Sequence, residues 1–219
     1  MQILRAIGHG AARFLGFMFQ DVKRLFVYTS RPRLPEDSIP VDKNGKPDLS
    51  FYTEPVTYYI DLYNAHLAAY RKGSTAEQQR LAWRRRVHGT WGLLAKGQEG
   101  LPFILTLIRH PDSDAREDGY YLLAELKSDA ATGERLLEFL QSETDLVALS
   151  SLIGALGKCR YRPAIPALRS LILDSRTDVD ARWNAADSLG SIVGLDFSGP
   201  DKLAKAEAWL ASQERGPDT

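Results

Sequence analysis

Cysteine is almost missing from this chain of 219 residues: Cys159 stands alone, so no disulfide framework closes within it, and the usage fits a reducing compartment. Net charge is missing too. With 28 basic against 28 acidic residues, the surface as a whole is not built to hold nucleic acid, and only local patches remain to be weighed. No apolar run approaches the roughly 18 to 20 residues that a membrane-spanning helix needs, because Arg5, His9, Arg13, Asp21, Lys23 and Arg24 interrupt the first segment. Those charges are scattered instead of preceding an apolar stretch, which is not the layout of a cleaved signal peptide. Catalytic signatures are also absent: no Gly-x-Ser-x-Gly elbow, no phosphate-binding glycine loop, no dinucleotide fingerprint. His9, His66, His88 and His110 lie too far apart to share a metal on one helix face. These absences predict a cytoplasmic, non-catalytic protein with no cofactor, metal or evident small-molecule substrate.

What is present is helical periodicity, on a chain with enough hydrophobic residues (44%) to bury a real core. Between Leu101 and Leu195 a helical hairpin pattern runs three times. In its first and third copies the opening helix reads Leu101-Pro102-x-Ile104-x-x-Leu107-Ile108 and Ile165-Pro166-x-Leu168-x-x-Leu171-Ile172. Such units bury themselves only by stacking, so recurrence at a period of roughly 30 residues predicts an α-solenoid. Aligned on their second helices, Leu126, Leu156 and Leu189 match, with Asp114, Asp145 and Asp178 about three turns earlier. A short acid there caps free N–H groups and meets the positive end of the helix dipole.

The third copy, Asp178-Val179-Asp180-Ala181-Arg182-Trp183-Asn184-Ala185-Ala186-Asp187-Ser188-Leu189-Gly190, resembles the second helix of HEAT-like repeats, in particular the short type named after phycobilin lyases. The resemblance implies a solenoid fold and is nearly silent on activity. In the alignment above, the family's arginine matches Arg182 but falls on Leu149 and Gly119, and its alanine pair becomes Leu152-Ile153 and Leu122-Leu123. Helices crossing at those bulkier pairs are expected to lie further apart.

Upstream, residues 57–72 and 75–96 form two further helices. Tyr59, Leu62, Tyr63, His66, Leu67 and Tyr70 share one face of the first; Trp83, Val87, Thr90, Trp91 and Leu94 form the predicted apolar stripe of the second. Ser198-Gly199-Pro200-Asp201 opens a closing helix. The predicted organisation is an amphipathic basic helix over 1–28, an extended proline-rich arm over 29–56, a HEAT-like domain of about four hairpins over 57–212, and a disordered tail over 213–219. In the arm, Asn44-Gly45 reads as a tight turn. The sequence Asp42 to Asp48 is a poor calcium loop, since Lys46 and Pro47 stand where a ligand and a turn glycine are needed.

On the first helix, Ile3, Leu4, Ile7, Phe14, Leu15, Met18, Leu25 and Phe26 fall within an arc of about 140°, widened by Phe17 and Phe19. Arg5, Arg13, Lys23 and Arg24 gather opposite. This pairing suits an anionic membrane surface or a groove on a protein, and Asp21 inside the apolar arc favours a protein docked at a membrane. Anchoring contacts are therefore expected from Phe14, Phe17, Met18, Phe19, Leu25 and Phe26.

Two further patches are candidates. Arg84, Arg85 and Arg86 beside Trp83 and Trp91 form a basic patch, but adjacent arginines span most of a turn instead of lining one face, so nucleic acid is the less favoured partner. In the hairpin turns, Asp112, Glu143 and Asp174 are less obviously caps than their neighbours, and form a possible acidic edge for a basic partner segment. The sequence thus predicts a protein-binding scaffold or accessory subunit that docks on a larger complex, at the cytoplasmic face of a membrane. A nucleic-acid-binding HEAT-like protein and a lyase-like cofactor-attachment factor are the alternatives.

Overall fold

A computed structural model describes residues 41–43, 46–70 and 75–214, in a chain that divides into two compact units, Met1–Asn44 and Gly45–Thr219. The expected helix over 1–28, the arm as far as residue 40, the Asn44-Gly45 turn and residues 215–219 lie outside the described residues. The second unit is built of α-helices, with no β-strand among the described residues.

The first pair is α1 (Val56–Tyr70) and α2 (Ala76–Lys96). On α1, Tyr59, Tyr63 and His66 are buried, as their helical spacing predicts. Helix α2 opens on a capping box in which Thr75 Oγ1 accepts from the Gln78 N–H while the Gln78 side chain accepts from the Thr75 N–H. It stops at Gly97, whose φ of 56° suits glycine. The stripe predicted on α2 is rotated. Its buried line is Ala82, Thr90 and Leu93, whereas Trp83 is 53% exposed. The glycines set this register: a Cβ on Gly92 would overlap the Tyr59 ring, so α1 lies against the glycine side of α2 and the bulky indole turns away.

The end of the predicted arm is not extended. Asp48 caps a short 3-10 turn, Leu49–Phe51, and Tyr52 is buried, its ring 5.8 Å from Tyr59 and edge-on to Trp91 at 6.4 Å. Lys96 Nζ donates to the Thr53 carbonyl, 3.2 Å away. Proline density signals extension, but the aromatic Tyr52 supplies more apolar surface than an open arm leaves in water.

Three hairpins follow: α3 (Leu101–Leu107) with α4 (Ser113–Leu126), α5 (Ala130–Leu140) with α6 (Leu146–Lys158), and α7 (Ile165–Leu173) with α8 (Val179–Val193). Helix α9 (Lys202–Glu214) closes the series. Prolines sit in the first turns of α3 and α7, where a missing N–H costs nothing. Asp112, Asp145 and Asp178 cap α4, α6 and α8 through their side chains.

These caps correct the alignment of the copies. Asp112, not Asp114, caps the first, and the caps then recur at one interval, about 33 residues. The third residue after each cap is a buried alanine, Ala115, Ala148 and Ala181; the eleventh is a buried leucine, Leu123, Leu156 and Leu189. Leu126 is not the equivalent leucine: it is the last residue of α4, about one turn beyond Leu123. In this frame the recurring arginine is Arg116 with Arg182, and the pair equivalent to Ala185-Ala186 is Gly119-Tyr120. The wider crossing expected of the first copy is overturned by Gly119: a Cβ there would stand 2.7 Å from the Ile108 nitrogen, so α4 lies close on the end of α3.

Each second helix packs on the next, α2 on α4, α4 on α6 and α6 on α8, while α3, α5 and α7 each pack on the second helix of their own hairpin. A Cβ on Gly157 of α6 would stand 2.8 Å from Ser188 Cα of α8, so the glycine lets these two helices lie close. Ala206 and Leu210 of α9 are buried against α8 and α7. The outward faces of α2, α4 and α6 consequently neighbour one another, and the candidate site lies there.

Candidate functional site: an aromatic and acidic cleft

The basic patch of Arg84, Arg85 and Arg86 is divided. Arg86 turns into the fold, donating from Nε to Asp118 Oδ2 at 2.6 Å and from Nη2 to Asp118 Oδ1 at 3.0 Å and Glu117 Oε2 at 2.5 Å. Asp114 is a third carboxylate, 4.0 Å away. Tyr63 of α1 donates its hydroxyl to Asp118 Oδ2 at 2.6 Å, so a single carboxylate joins α1, α2 and α4. Burial works against the Arg86 charge, but the hydrogen bonds and charges of Asp118 and Glu117 outweigh it and hold the guanidinium ionised. The Tyr63 phenol is pushed far above its usual range, by burial first and by Asp118 second. Burial lowers the pKa of His88, and the charge of Arg84 lowers it further.

The three acids of the expected edge are each occupied within the fold. Asp112 caps α4, accepting from the Asp114 N–H. Asp174 closes α7 and pairs with Arg176 at 2.9 Å, which holds its carboxyl down to about 2. Glu143 is only 2% exposed at its side chain. It accepts from Arg116 Nε and Nη2 at 2.7 and 2.8 Å, from the Tyr120 hydroxyl at 3.0 Å, and from the N–H groups of Thr144 and Asp145. Of the three, only Glu143 is enclosed: a buried acid needs its partners nearby, and the sequence supplies them, whereas the Asp174 pair stays on the surface. The anchoring residues Arg5, Arg13, Phe14, Phe17, Met18, Phe19, Lys23, Arg24, Leu25 and Phe26 lie outside the described residues.

Arg116 and Arg182 repeat one structural device. Arg116 Nη1 donates to the carbonyls of His110 and Pro111, both at 3.0 Å. Arg182 Nε donates to the Ile172 carbonyl at 2.9 Å, and its Nη2 to Glu207 at 3.1 Å. Each binds orphan carbonyls around the end of its hairpin's first helix and reaches an acid further along the chain.

Between α2, α4 and α6 lies a cleft of about 380 Å³, lined by Trp83, Arg86, Val87, Thr90 and Trp91, by Glu117, Asp118 and Tyr121, and by Ser151. Ser151 fixes its far wall, donating to the Glu117 carbonyl at 3.1 Å. Trp83 and Tyr121 are 53% and 38% exposed, so two aromatic rings meet solvent beside an acidic cluster. Thr90 is 6% exposed, and its Oγ1 has no hydrogen-bond partner among the described residues. Three carboxylates around one guanidinium leave an excess of negative charge, and the rings supply apolar faces that attract cations.

Sequence reasoning assigned Trp83 to the core and missed Glu117, Asp118, Tyr121 and Ser151. One signal was available: Glu117 and Asp118 stand immediately before Gly119 on a helix whose apolar face runs through Ala115, Leu122 and Leu123. An acid so close to that face requires a cation, but Arg84, Arg85 and Arg86 all lack an acid within a turn on their own helix, so the signal points to this patch and not to Arg86 in particular. Comparison with protein-family models, curated proteins and solved structures gives no significant match.

Proposed function

We propose that this chain is a non-catalytic HEAT-like scaffold that binds or braces protein partners. Its four hairpins act as a solenoid, and the first helix with its arm docks the molecule on a larger complex at the cytoplasmic face of a membrane. The observation that carries the reading is the recurring frame of Asp cap, buried alanine and buried leucine, with α2, α4, α6 and α8 packed in chain order. Helices arranged in this way bury one side against their partners and turn the other outward as a continuous face, which is how repeat proteins hold other chains. The ion pairs of Arg116 with Glu143 and of Arg182 with Glu207 tie neighbouring elements together and stiffen the face offered to a partner. The inward turn of Arg86 removes one cation from the nucleic-acid alternative.

The test compares affinity capture by the intact chain with capture by a variant carrying Phe14→Asp, Phe17→Asp and Phe26→Asp, from membrane and soluble fractions of the native cell. A defined protein set recovered by the intact chain, with membrane fractionation lost in the variant, supports both halves of the reading. Recovery of both chains alone, at monomer size, contradicts it.

A further inference from the structure

We propose that the cleft between α2, α4 and α6 receives a cationic side chain, arginine or lysine, presented by a protein partner. This rests on the reading of the chain as a protein-binding scaffold and assigns the chemistry of its contact. The molecule contains its own precedent on α8. Lys202 Nζ, at the start of α9, lies 5.5 Å from the centre of the Trp183 ring and 2.5 Å from Asp187 Oδ2, so an aromatic face and a carboxylate of α8 hold one ammonium together. Trp183 and Asp187 are the fifth and ninth residues after the Asp178 cap. The fifth and ninth residues after Asp112 are Glu117 and Tyr121, the same pair of chemistries in reverse order, facing the cleft. On α8 the chain supplies the cation itself; over Tyr121 or Trp83 no cation lies among the described residues.

The charge balance points the same way. Arg86 satisfies Glu117 Oε2 and both oxygens of Asp118, but Asp114, Glu117 and Asp118 together outnumber it. Glu117 is 31% exposed at its side chain, open to a second donor from solvent. Trp83 stands across the cleft on α2, with its ring half in water. Thr90 adds a buried hydroxyl without a partner, a group that costs stability unless something bonds it. A planar guanidinium or an ammonium fits such a setting, stacking on a ring while meeting a carboxylate.

The probe is a peptide of alternating arginine and serine, titrated into the full chain and followed by tryptophan emission, with a peptide of identical length carrying citrulline for arginine. The arginine peptide is expected to bind at least about tenfold more tightly, and Trp83→Ala and Glu117→Gln each to weaken it by about tenfold. Trp183→Ala, whose ring already carries Lys202, leaves binding unchanged. Equal binding of the two peptides overturns the proposal, as does undiminished binding by Trp83→Ala. Should Glu117→Gln unfold, Trp83→Ala decides alone, because its side chain is half exposed. If protein capture by the intact chain persists unchanged in Trp83→Ala, the cleft assignment fails while the scaffold reading stands; if the intact chain captures nothing, the scaffold reading fails.

Discussion

Arg116 holds Glu143 by both carboxylate oxygens, at 2.7 and 2.8 Å, tying α4 to the turn that precedes α6. Burial opposes the Glu143 charge, but the hydrogen bonds from Arg116, the Asp145 N–H and Tyr120 prevail and depress its pKa. A carboxyl depressed in the folded state contributes stability that is complete above its unfolded pKa, about 4.3, and is lost as pH falls through the folded value. The intact chain is expected to lose stability steeply below about pH 4.3, and Glu143→Gln to flatten that limb in urea titrations run across pH. Arg116→Met strands the carboxylate and costs about 2 kcal/mol at neutral pH.

The Tyr63, Asp118 and Arg86 network predicts an ordered pair of variants. Tyr63→Phe removes one hydrogen bond and costs about 1 to 2 kcal/mol, because Arg86 still satisfies Asp118. Asp118→Ala strands the buried phenol and takes two of the guanidinium's hydrogen bonds, leaving Arg86 to Glu117, and costs about 3 kcal/mol. Chemical denaturation measures both, and equal costs would mean that Asp118 does not join the three helices.

Two glycines of α6 are expected to answer oppositely to alanine. At Gly157 the new Cβ would meet Ser188 Oγ at 2.7 Å and Ser188 Cα at 2.8 Å, so α6 and α8 must separate, at a cost of about 1 to 3 kcal/mol. At Gly154 nothing lies within 4 Å, and alanine gains up to about 1 kcal/mol of helix propensity. Thermal melts of the two variants should move in opposite directions.

Cys159 closes α6, where burial first, and Asp129 second, push its thiol up to about 11. At pH 8 a chromogenic disulfide reagent should label the folded chain at least about a hundredfold more slowly than the unfolded one, because so little thiolate is present. Rapid labelling of folded protein would show that the end of α6 is open.

The helices were legible in the sequence where apolar spacing and capping acids coincide, as at Asp145 with Leu156 and at Asp178 with Leu189. The first copy was misaligned because Asp112 and Asp114 are both acids at a helix start, and only the hydrogen bond to the Asp114 N–H identifies which one caps. The orientation of α2 was hidden for another reason. Its two tryptophans carry the largest apolar surface, whereas Gly89 and Gly92, which contribute none, decide where α1 sits. The cleft was illegible because it depends on partners 28 to 32 residues apart along the chain, Arg86 with Asp114, Glu117 and Asp118. No local pattern records such a distance. Glu143 belongs to the same class, paired with Arg116 across 27 residues.

The most direct test of the scaffold reading places a photo-crosslinking residue at Gly154, exposed and central on the outward side of α6, and another at Glu134, exposed on the first helix of the same hairpin. The intact protein is irradiated in its native cell and its adducts are identified by mass spectrometry. The scaffold account predicts one or a few discrete protein adducts from Gly154 and far fewer from Glu134. Adducts to nucleic acid alone, or no adduct at Gly154 above that at Glu134, would contradict it.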